Sequence, residues 1–140
     1  MRLIFYSIFI SILTLSACSI FLDGDDSSSD INLEVLTQHW VHSYEEESQG
    51  SDVNIYRPND YKEFPASWFR MQYIFEEDGS CEWFYLAPDD GHHFRPGKWQ
   101  LDAEDNEAII IERDEDVLRY RIIDLNEEVL HMKLIESQQN

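Results

Sequence analysis

The residues best suited to chemistry form one short cluster, Asp89-Asp-Gly-His-His93, with two carboxylates and two imidazoles. Adjacent histidines point to opposite faces of a strand, so His92 and His93 converge only if this stretch is a loop. The neighbouring Gly91 and Pro96 permit a loop. Zinc sites usually recruit three or four ligands, and no third ligand is fixed here by spacing. We therefore expect a solvated loop and no metal site.

A catalytic site is not indicated either. Cys81 lies in a strand-like stretch, 80–86, where it is most simply a small buried apolar residue, and no local motif supplies a base. Carboxylates are abundant, but they fall in turns, where charge is expected. The sequence contains no nucleophile elbow, phosphate loop, dinucleotide fingerprint or zinc-protease motif. We expect no enzyme, no catalytic residues and no cofactor.

Aromatic side chains are the more informative group. Those in strand-like stretches can line a barrel cavity for an apolar molecule, or they can fill the barrel as core, and we favour a mostly packed core. The candidate ligand-binding residues are Trp40, Phe69, Tyr73, Trp83, Tyr85, Trp99 and Tyr120. Tyr61, Phe64 and Trp68 belong to a long insertion and are candidates for a lid or a contact patch.

The elements that must position these side chains are strands. After residue 38, apolar residues recur with a period close to 2, and a helix is expected only around 31–38. The alternation is clearest from Phe69 to Phe75, whose odd-numbered residues are predicted to share one face. The following Glu76-Glu-Asp-Gly79 predicts a hairpin turn, because Asp-Gly accommodates the positive φ that tight turns demand.

Eight strand-like stretches follow this pattern along the chain. They lie at 40–44, 53–56, 69–75, 81–86, 97–101, 108–112, 118–123 and 129–135. In the last one, Leu130, Met132 and Leu134 are predicted to share the apolar face. Short strands that are half apolar and joined by tight turns are typical of an antiparallel meander closed into a barrel. We predict an all-β fold, an eight-stranded antiparallel up-and-down barrel; an open β-sandwich is the alternative.

The charge composition limits the partners. The sequence has 29 acidic residues against 10 lysines and arginines, a formal net charge of −19. Such a surface repels phosphate backbones and anionic lipid headgroups, so we expect no binding to nucleic acid. It favours cationic partners, although solubility alone also explains it. The length suits a single domain with one core.

The N-terminus has the form of an export signal. Arg2 precedes an apolar run, 3–15, that is shorter than the about 20 residues of a membrane-spanning helix. Leu15-Ser-Ala-Cys18 resembles the lipobox of bacterial lipoprotein precursors; an ordinary secretory peptide and an uncleaved anchor are the alternatives. The resemblance implies lipidation of Cys18 with two or three acyl chains, which anchor a protein firmly. It implies a signal peptide (1–17), an acylated, acidic and serine-rich tether (18–32) and a domain (33–140).

Several motifs in the domain resemble the lipocalin-like domains of small bacterial lipoproteins of the Bacteroidetes type. They are Trp40 in the first strand, the Phe75–Ser80 hairpin, Gly97-Lys-Trp99 and the Tyr120–Met132 hairpin. The resemblance covers roughly 33–136. The chain departs from the family at Gln38, where glycine is frequent, and in the long insertion at 48–67. The resemblance implies a lipocalin-like barrel, with no catalytic residues to carry over.

These observations favour a binding protein over an enzyme. We expect a non-enzymatic protein, lipid-anchored in the bacterial cell envelope at the outer membrane, whose barrel binds a small apolar or amphipathic ligand. The alternative is an acidic module that captures a cationic protein, by analogy with barrel-shaped lipoproteins that inhibit lysozymes. Because fold alone does not decide function, both classes stay open at this point.

Overall fold

A computed structural model describes residues 30–139 of the chain. The predicted signal peptide (1–17), the predicted lipidation site Cys18 and most of the predicted tether lie outside the described residues. Ile31, which falls within the predicted tether, is buried in the core.

Strands dominate the described part of the chain. One helical turn, α1, spans Leu33–Leu36, and Asn32 caps it by accepting hydrogen bonds from the backbone N–H groups of Glu34 and Val35. The strands are β1 His39–His42, β2 Val53–Pro58, β3 Gln72–Phe75, β4 Ser80–Leu86, β5 His92–Leu101, β6 Ala108–Arg113, β7 Asp116–Asn126 and β8 Val129–Gln139. None of the helical segments in residues 30–139 has the length and apolar character needed to span a membrane.

The eight strands form a closed antiparallel barrel in the order β1-β2-β8-β7-β6-β5-β4-β3. The predicted fold class is thus confirmed, and the open sandwich is excluded. From β3 to β8 each strand pairs with the next along the chain, as in a meander. The closure is different, since β1 lies between β2 and β3, and β2 pairs with β8. The 59–71 connection must therefore cross β1 to reach β3.

The two ends of the barrel are distinguished by their connections. The lower end carries the β3–β4 turn, and the α1 residue Leu33 lies there beside Glu77 and Trp99. The upper end carries the β4–β5 turn at 87–91 and the β6–β7 turn at 114–115. Between them, inward-facing residues from all strands form one apolar cluster.

The hairpin predicted at Glu76–Gly79 is confirmed. Gly79 has a φ of 83°, and its N–H donates to the carbonyl oxygen of Glu76 at 3.1 Å. The Asp78 carboxylate accepts hydrogen bonds from both the backbone N–H and the hydroxyl of Ser80. This local chemistry fixes the register in which Phe75 pairs with Cys81.

The strand prediction is wrong in one detail of β5 and in one detail of β8. The fifth strand begins at His92 rather than at Gly97, so the predicted loop is part of a ten-residue strand. Leu134 is exposed, unlike Leu130 and Met132. The ladder between β7 and β8 is irregular near this point, with a register shift between Arg119 and Tyr120. Such shifts break a strict alternation of faces.

Candidate functional site

The structure brings six of the seven predicted ligand-binding aromatics together inside the barrel. Those that are buried are Trp40, Tyr73, Trp83, Trp99 and Tyr120, and Tyr85 is half-buried and packs against them. Contacts between neighbouring rings connect the group, for example Trp83 with Tyr85 at 5.4 Å between centroids. The interior is therefore aromatic along its length.

Phe69 is the exception, and its predicted orientation is wrong. Strand β3 begins only at Gln72, so the alternation assumed for Phe69 does not extend to it. Its ring stacks on that of Phe84 at 5.9 Å. Phe84 alternates with the inward-facing Trp83 and Tyr85 and so lies on the outer surface. Phe69 is part of the exterior of the barrel.

At the lower end the polar atoms of the core are satisfied. The indole N–H of Trp40 donates to the carbonyl oxygen of Leu36 at 2.9 Å, which ties β1 to α1. The indole N–H of Trp99 donates to the carbonyl oxygen of Glu76, also at 2.9 Å. Ring contacts between Phe75 and Trp99 complete the layer. This end is a finished core.

The upper end is different because it contains buried donors without a partner. Among the described residues, Trp83 Nε1 and Arg113 Nε are buried and make no hydrogen bond. The two groups are close, since the Arg113 guanidinium carbon lies 5.4 Å from the Trp83 ring centroid. Native proteins leave few buried polar atoms unpaired, and each such atom needs an explanation. These two N–H groups mark the candidate site.

The remaining groups around Arg113 are phenols and one carboxylate. Arg113 Nη1 donates to the Tyr73 hydroxyl at 3.1 Å, and Asp116 Oδ2 lies 3.8 Å from Nε, beyond hydrogen-bond distance. Burial raises the pKa of the Tyr73 and Tyr56 hydroxyls well above the usual value, and the neighbouring Tyr120 raises both further. The phenols are therefore neutral donors at physiological pH.

Gly97 makes room for this arrangement. A Cβ atom at this position would lie 3.3 Å from Trp83 Cδ1, 3.0 Å from Cys81 Sγ and 2.6 Å from the carbonyl oxygen of Glu112. The last distance is shorter than real Cβ contacts allow, and the Glu112 oxygen belongs to the backbone, which cannot rotate away as a side chain could. Gly97 is thus required for β5 to pack closely on Trp83 and β6.

The rim of the upper end connects the site to solvent. Exposure increases from the buried Trp83 through the half-buried Tyr85 to the exposed His93, whose ring contacts Tyr85 at 5.5 Å. Arg95 lies 3.6 Å above the Tyr85 ring and forms an ion pair of 2.6 Å with Asp114. The rim is therefore aromatic and carries a second arginine.

The other chemical candidates of the sequence are not assembled into a site. His92 and His93 lie on opposite faces of β5, since His92 stacks on Phe84 outside and His93 contacts Tyr85 at the rim. Within residues 30–139, no group of three potential ligands is placed to hold a metal ion. Cys81 is buried, and burial raises the pKa of its thiol to about 11. It is a packing residue and not an activated nucleophile.

Sequence reasoning missed Arg113 and Tyr56. Arg113 directly precedes the charged stretch Asp114-Glu-Asp116, where an arginine is ordinarily solvated. The available signal was its phase, because Arg113 follows Ile109 and Ile111 at intervals of two and so belongs to the inner face of β6. Tyr56 gave no such signal, because the apolar Val53 and Ile55 of β2 are out of phase with it, and its inward position depends on its pairing with the buried Leu130.

Comparisons with known proteins add no relative. No family model, no curated protein and no solved structure matches this chain.

Proposed function

We propose that this protein is a lipid-anchored, non-enzymatic binding protein of the bacterial cell envelope, whose barrel binds a small amphipathic ligand at its upper end. The observation that carries the proposal is the pair of buried donors, Trp83 Nε1 and Arg113 Nε. A ligand that places an acceptor between them removes the free-energy cost of burying unpaired donors, about 1–3 kcal/mol each and more for a charged group.

The chemistry of the site favours an apolar body with one acidic or strongly accepting group. Small-molecule sites are mostly apolar, with a few polar atoms that fix the orientation. Here Trp83, Tyr85 and Tyr120 supply apolar walls, while Arg113 supplies charge. A carboxylate is the natural partner of an arginine with a free Nε. The net charge of −19 does not prevent a ligand carboxylate from binding Arg113, because exposed charges more than about 8 Å away are screened at physiological salt.

The binding test uses residues 30–140, after far-UV circular dichroism has established a strand-dominated spectrum for this fragment. A fluorescent fatty acid and its methyl ester are titrated against wild type, Arg113→Gln and Trp83→Phe. We expect Arg113→Gln to weaken binding of the acid about 10- to 100-fold, the value of a hydrogen bond to a charged group. Trp83→Phe removes a neutral donor and should weaken it about two- to tenfold.

Matched controls are available at the opposite end and on the outer surface. Trp99→Phe removes an indole N–H from the lower end, and Arg121→Gln removes an exposed arginine of β7. Neither should change the affinity for the fatty acid. Equal affinities of wild type and Arg113→Gln, or an ester that binds as tightly as the acid, would refute a site built on these donors.

Membrane attachment has its own test. If Cys18 is the lipidated residue, Cys18→Ser should abolish incorporation of labelled fatty acid and leave unprocessed precursor, since serine cannot form the thioether. Incorporation at the wild-type level would contradict the lipoprotein assignment. A variant of the other cysteine, Cys81→Ala, is the matched control and should be labelled normally.

Capture of a cationic protein is a second candidate function, favoured by how the protein uses its own cations. Nearly all lysines and arginines in residues 30–139 form ion pairs with carboxylates of the same chain. They are Arg57, Lys62, Arg70, Arg95, Arg119, Arg121 and Lys133, with N–O distances of 3.0 Å or less, and Arg113, whose Nε lies 3.8 Å from Asp116 Oδ2 without a hydrogen bond. The surplus of acidic residues therefore faces solvent without cations to offset it. Binding to lysozyme that weakens steeply between low and physiological salt, and is lost on acetylating its lysines, supports this function.

A further inference from the structure

An aromatic groove lies on the outer surface of β3, β4 and β5. Trp68 lines it with a relative accessibility of 70%, the highest among the exposed large hydrophobic residues described, whereas Trp40, Trp83 and Trp99 are all buried. The groove has a volume of about 340 Å³ and is open to solvent. Large exposed aromatic side chains in a concave surface are typical of binding sites.

The floor of the groove consists of three nearly parallel rings. Phe69, Phe84 and His92 have mutual centroid distances of 5.7–6.3 Å and interplanar angles of 11–23°. Phe94 extends this surface, at 5.1 Å from Phe84. Such a set of parallel rings offers flat aromatic faces to a planar or cationic group.

The charges around the groove are predominantly negative. Arg70 is the one cation in its lining, and it is engaged by the Glu45 carboxylate at 2.8 Å and by the carbonyl oxygens of His42 and Pro65. Glu82 is exposed and belongs to the same outer face of β4 as Phe84. Asp89 and Asp90, both exposed, lie in the turn immediately before His92. A cationic group in the groove would therefore find uncompensated negative charge nearby.

Elsewhere in the molecule, aromatic faces are covered by the protein's own cations. Arg57 lies 4.5 Å from the Tyr61 ring centroid, Arg70 lies 4.4 Å from that of Tyr44, and Arg95 covers Tyr85. Within the described residues, no such cation covers the rings of Trp68, Phe69 or Phe84. The groove thus contains aromatic rings suited to a cation–π contact, which this protein makes repeatedly elsewhere, but no cation of the described residues occupies them.

We propose that the groove binds an arginine side chain of a basic polypeptide, with the guanidinium stacked on the aromatic rings. The inference rests on the second candidate function and locates where a cationic protein is recognised. Arginine fits better than lysine, because its planar, weakly hydrated guanidinium stacks on aromatic faces. The negative surface disfavours an anionic ligand at the same place.

The test uses the full chain in a non-ionic polyoxyethylene detergent at 0.15 M salt, where remote charges are screened. A blocked peptide of three Arg-Gly repeats is titrated while tryptophan fluorescence is followed, and a citrulline-Gly peptide of equal length serves as its neutral counterpart. We expect Trp68→Ala to weaken binding of the arginine peptide about two- to fivefold, and Trp68→Tyr to restore most of it. The affinity of the citrulline peptide for the wild-type protein should be no higher than the affinity of the arginine peptide for Trp68→Ala.

The matched control is Tyr61→Ala, which removes another exposed aromatic from the same segment, but one that Arg57 already covers. It should leave the affinity unchanged. Arginine binding that is equal in wild type and Trp68→Ala would overturn the groove and leave capture by diffuse negative charge standing. No binding of the arginine peptide would overturn both. A citrulline peptide that binds as tightly as arginine would overturn the role of the cation.

Discussion

The two ends of the barrel contain equally buried tryptophans whose polar atoms differ. Trp99 at the lower end and Trp83 at the upper end are each 7% exposed. The indole N–H of Trp99 donates to a backbone carbonyl oxygen, whereas that of Trp83 has no partner among the described residues. The same side chain in the same degree of burial thus serves as finished core at one end and as an unpaired donor at the other.

The two ends differ in how completely the polar atoms of the packed interior are paired. A barrel interior of this size can be filled by side chains, and at the lower end the core indoles are packed and paired, with Trp40 donating to Leu36 of α1 and Trp99 donating to Glu76. At the upper end Arg113 and Trp83 retain the cost of unpaired polar burial. Strain and unsatisfied groups tend to occur at functional sites, where a ligand compensates for them.

The largest effect is expected at the finished end. Trp99→Ala should lower the free energy of unfolding of residues 30–140 by about 3–5 kcal/mol, the usual cost of truncating a large buried aromatic. Urea denaturation followed by circular dichroism measures it. The exposed Trp68→Ala is the control and should change stability by no more than about 0.5 kcal/mol. A loss below about 1 kcal/mol for Trp99→Ala would show that the lower end is not close-packed.

Gly97 tests whether the upper end is equally intolerant of added volume. Gly97→Ala places a Cβ atom 2.6 Å from the Glu112 carbonyl oxygen, so β5 and β6 must move apart. We expect a loss of about 1–3 kcal/mol, as for other overpacked sites. Gly91→Ala is the matched control, because its nearest contact is the movable Asp89 side chain at 3.0 Å. Equal stabilities of the two variants would mean that β5 and β6 can move apart at little cost in free energy.

The two tryptophans can be compared directly by removing only the indole N–H. Trp99→Phe loses a hydrogen bond, whereas Trp83→Phe removes a donor that has none. Because their exposures match, the loss of apolar surface should be similar and largely cancel. We expect Trp99→Phe to be the more destabilising by about 1 kcal/mol in the same denaturation assay. A larger loss for Trp83→Phe would contradict the contrast between the ends.

The sequence predicted local structure well, because alternation and turn chemistry are local. All eight strands were found, and the Asp78-Gly79 turn specified its own hairpin. The place of β1 between β2 and β3 was not predictable in this way, since it depends on pairings such as Trp40 with Tyr73 across the 59–71 connection. The start of β3 at Gln72 was likewise hidden, because the alternation of apolar residues continues back to Phe69 although the strand does not.

 The candidate site was harder to predict than the strands. The aromatic set was placed correctly inside the barrel except for Phe69, because side-chain period reveals which residues face inward. It does not reveal which indole N–H finds a carbonyl oxygen, as for Trp99, and which does not, as for Trp83. That difference depends on where the chain returns to each end of the barrel. Arg113 was obscured by the acidic turn that follows it, although its phase with Ile111 was visible.

The smallest expected effect concerns acid and the ion pair between Glu45 and Arg70. Burial raises the pKa of the Glu45 carboxyl, but hydrogen bonds led by that from Arg70, with a further one from Lys62, outweigh this and lower the pKa from 4.5 to about 2. Because the folded-state pKa is the lower one, the stability from this group is complete above about pH 4.5 and is lost as pH falls toward 2. Glu45→Gln should remove about 1 kcal/mol at pH 6 and flatten the acid dependence of the free energy of unfolding.

The exposed Glu63→Gln is the control and should retain the wild-type slope. If Glu45→Gln also keeps that slope between pH 6 and pH 3, the Arg70 ion pair does not stabilise the folded state, and the acid sensitivity of this barrel must come from its other carboxylates.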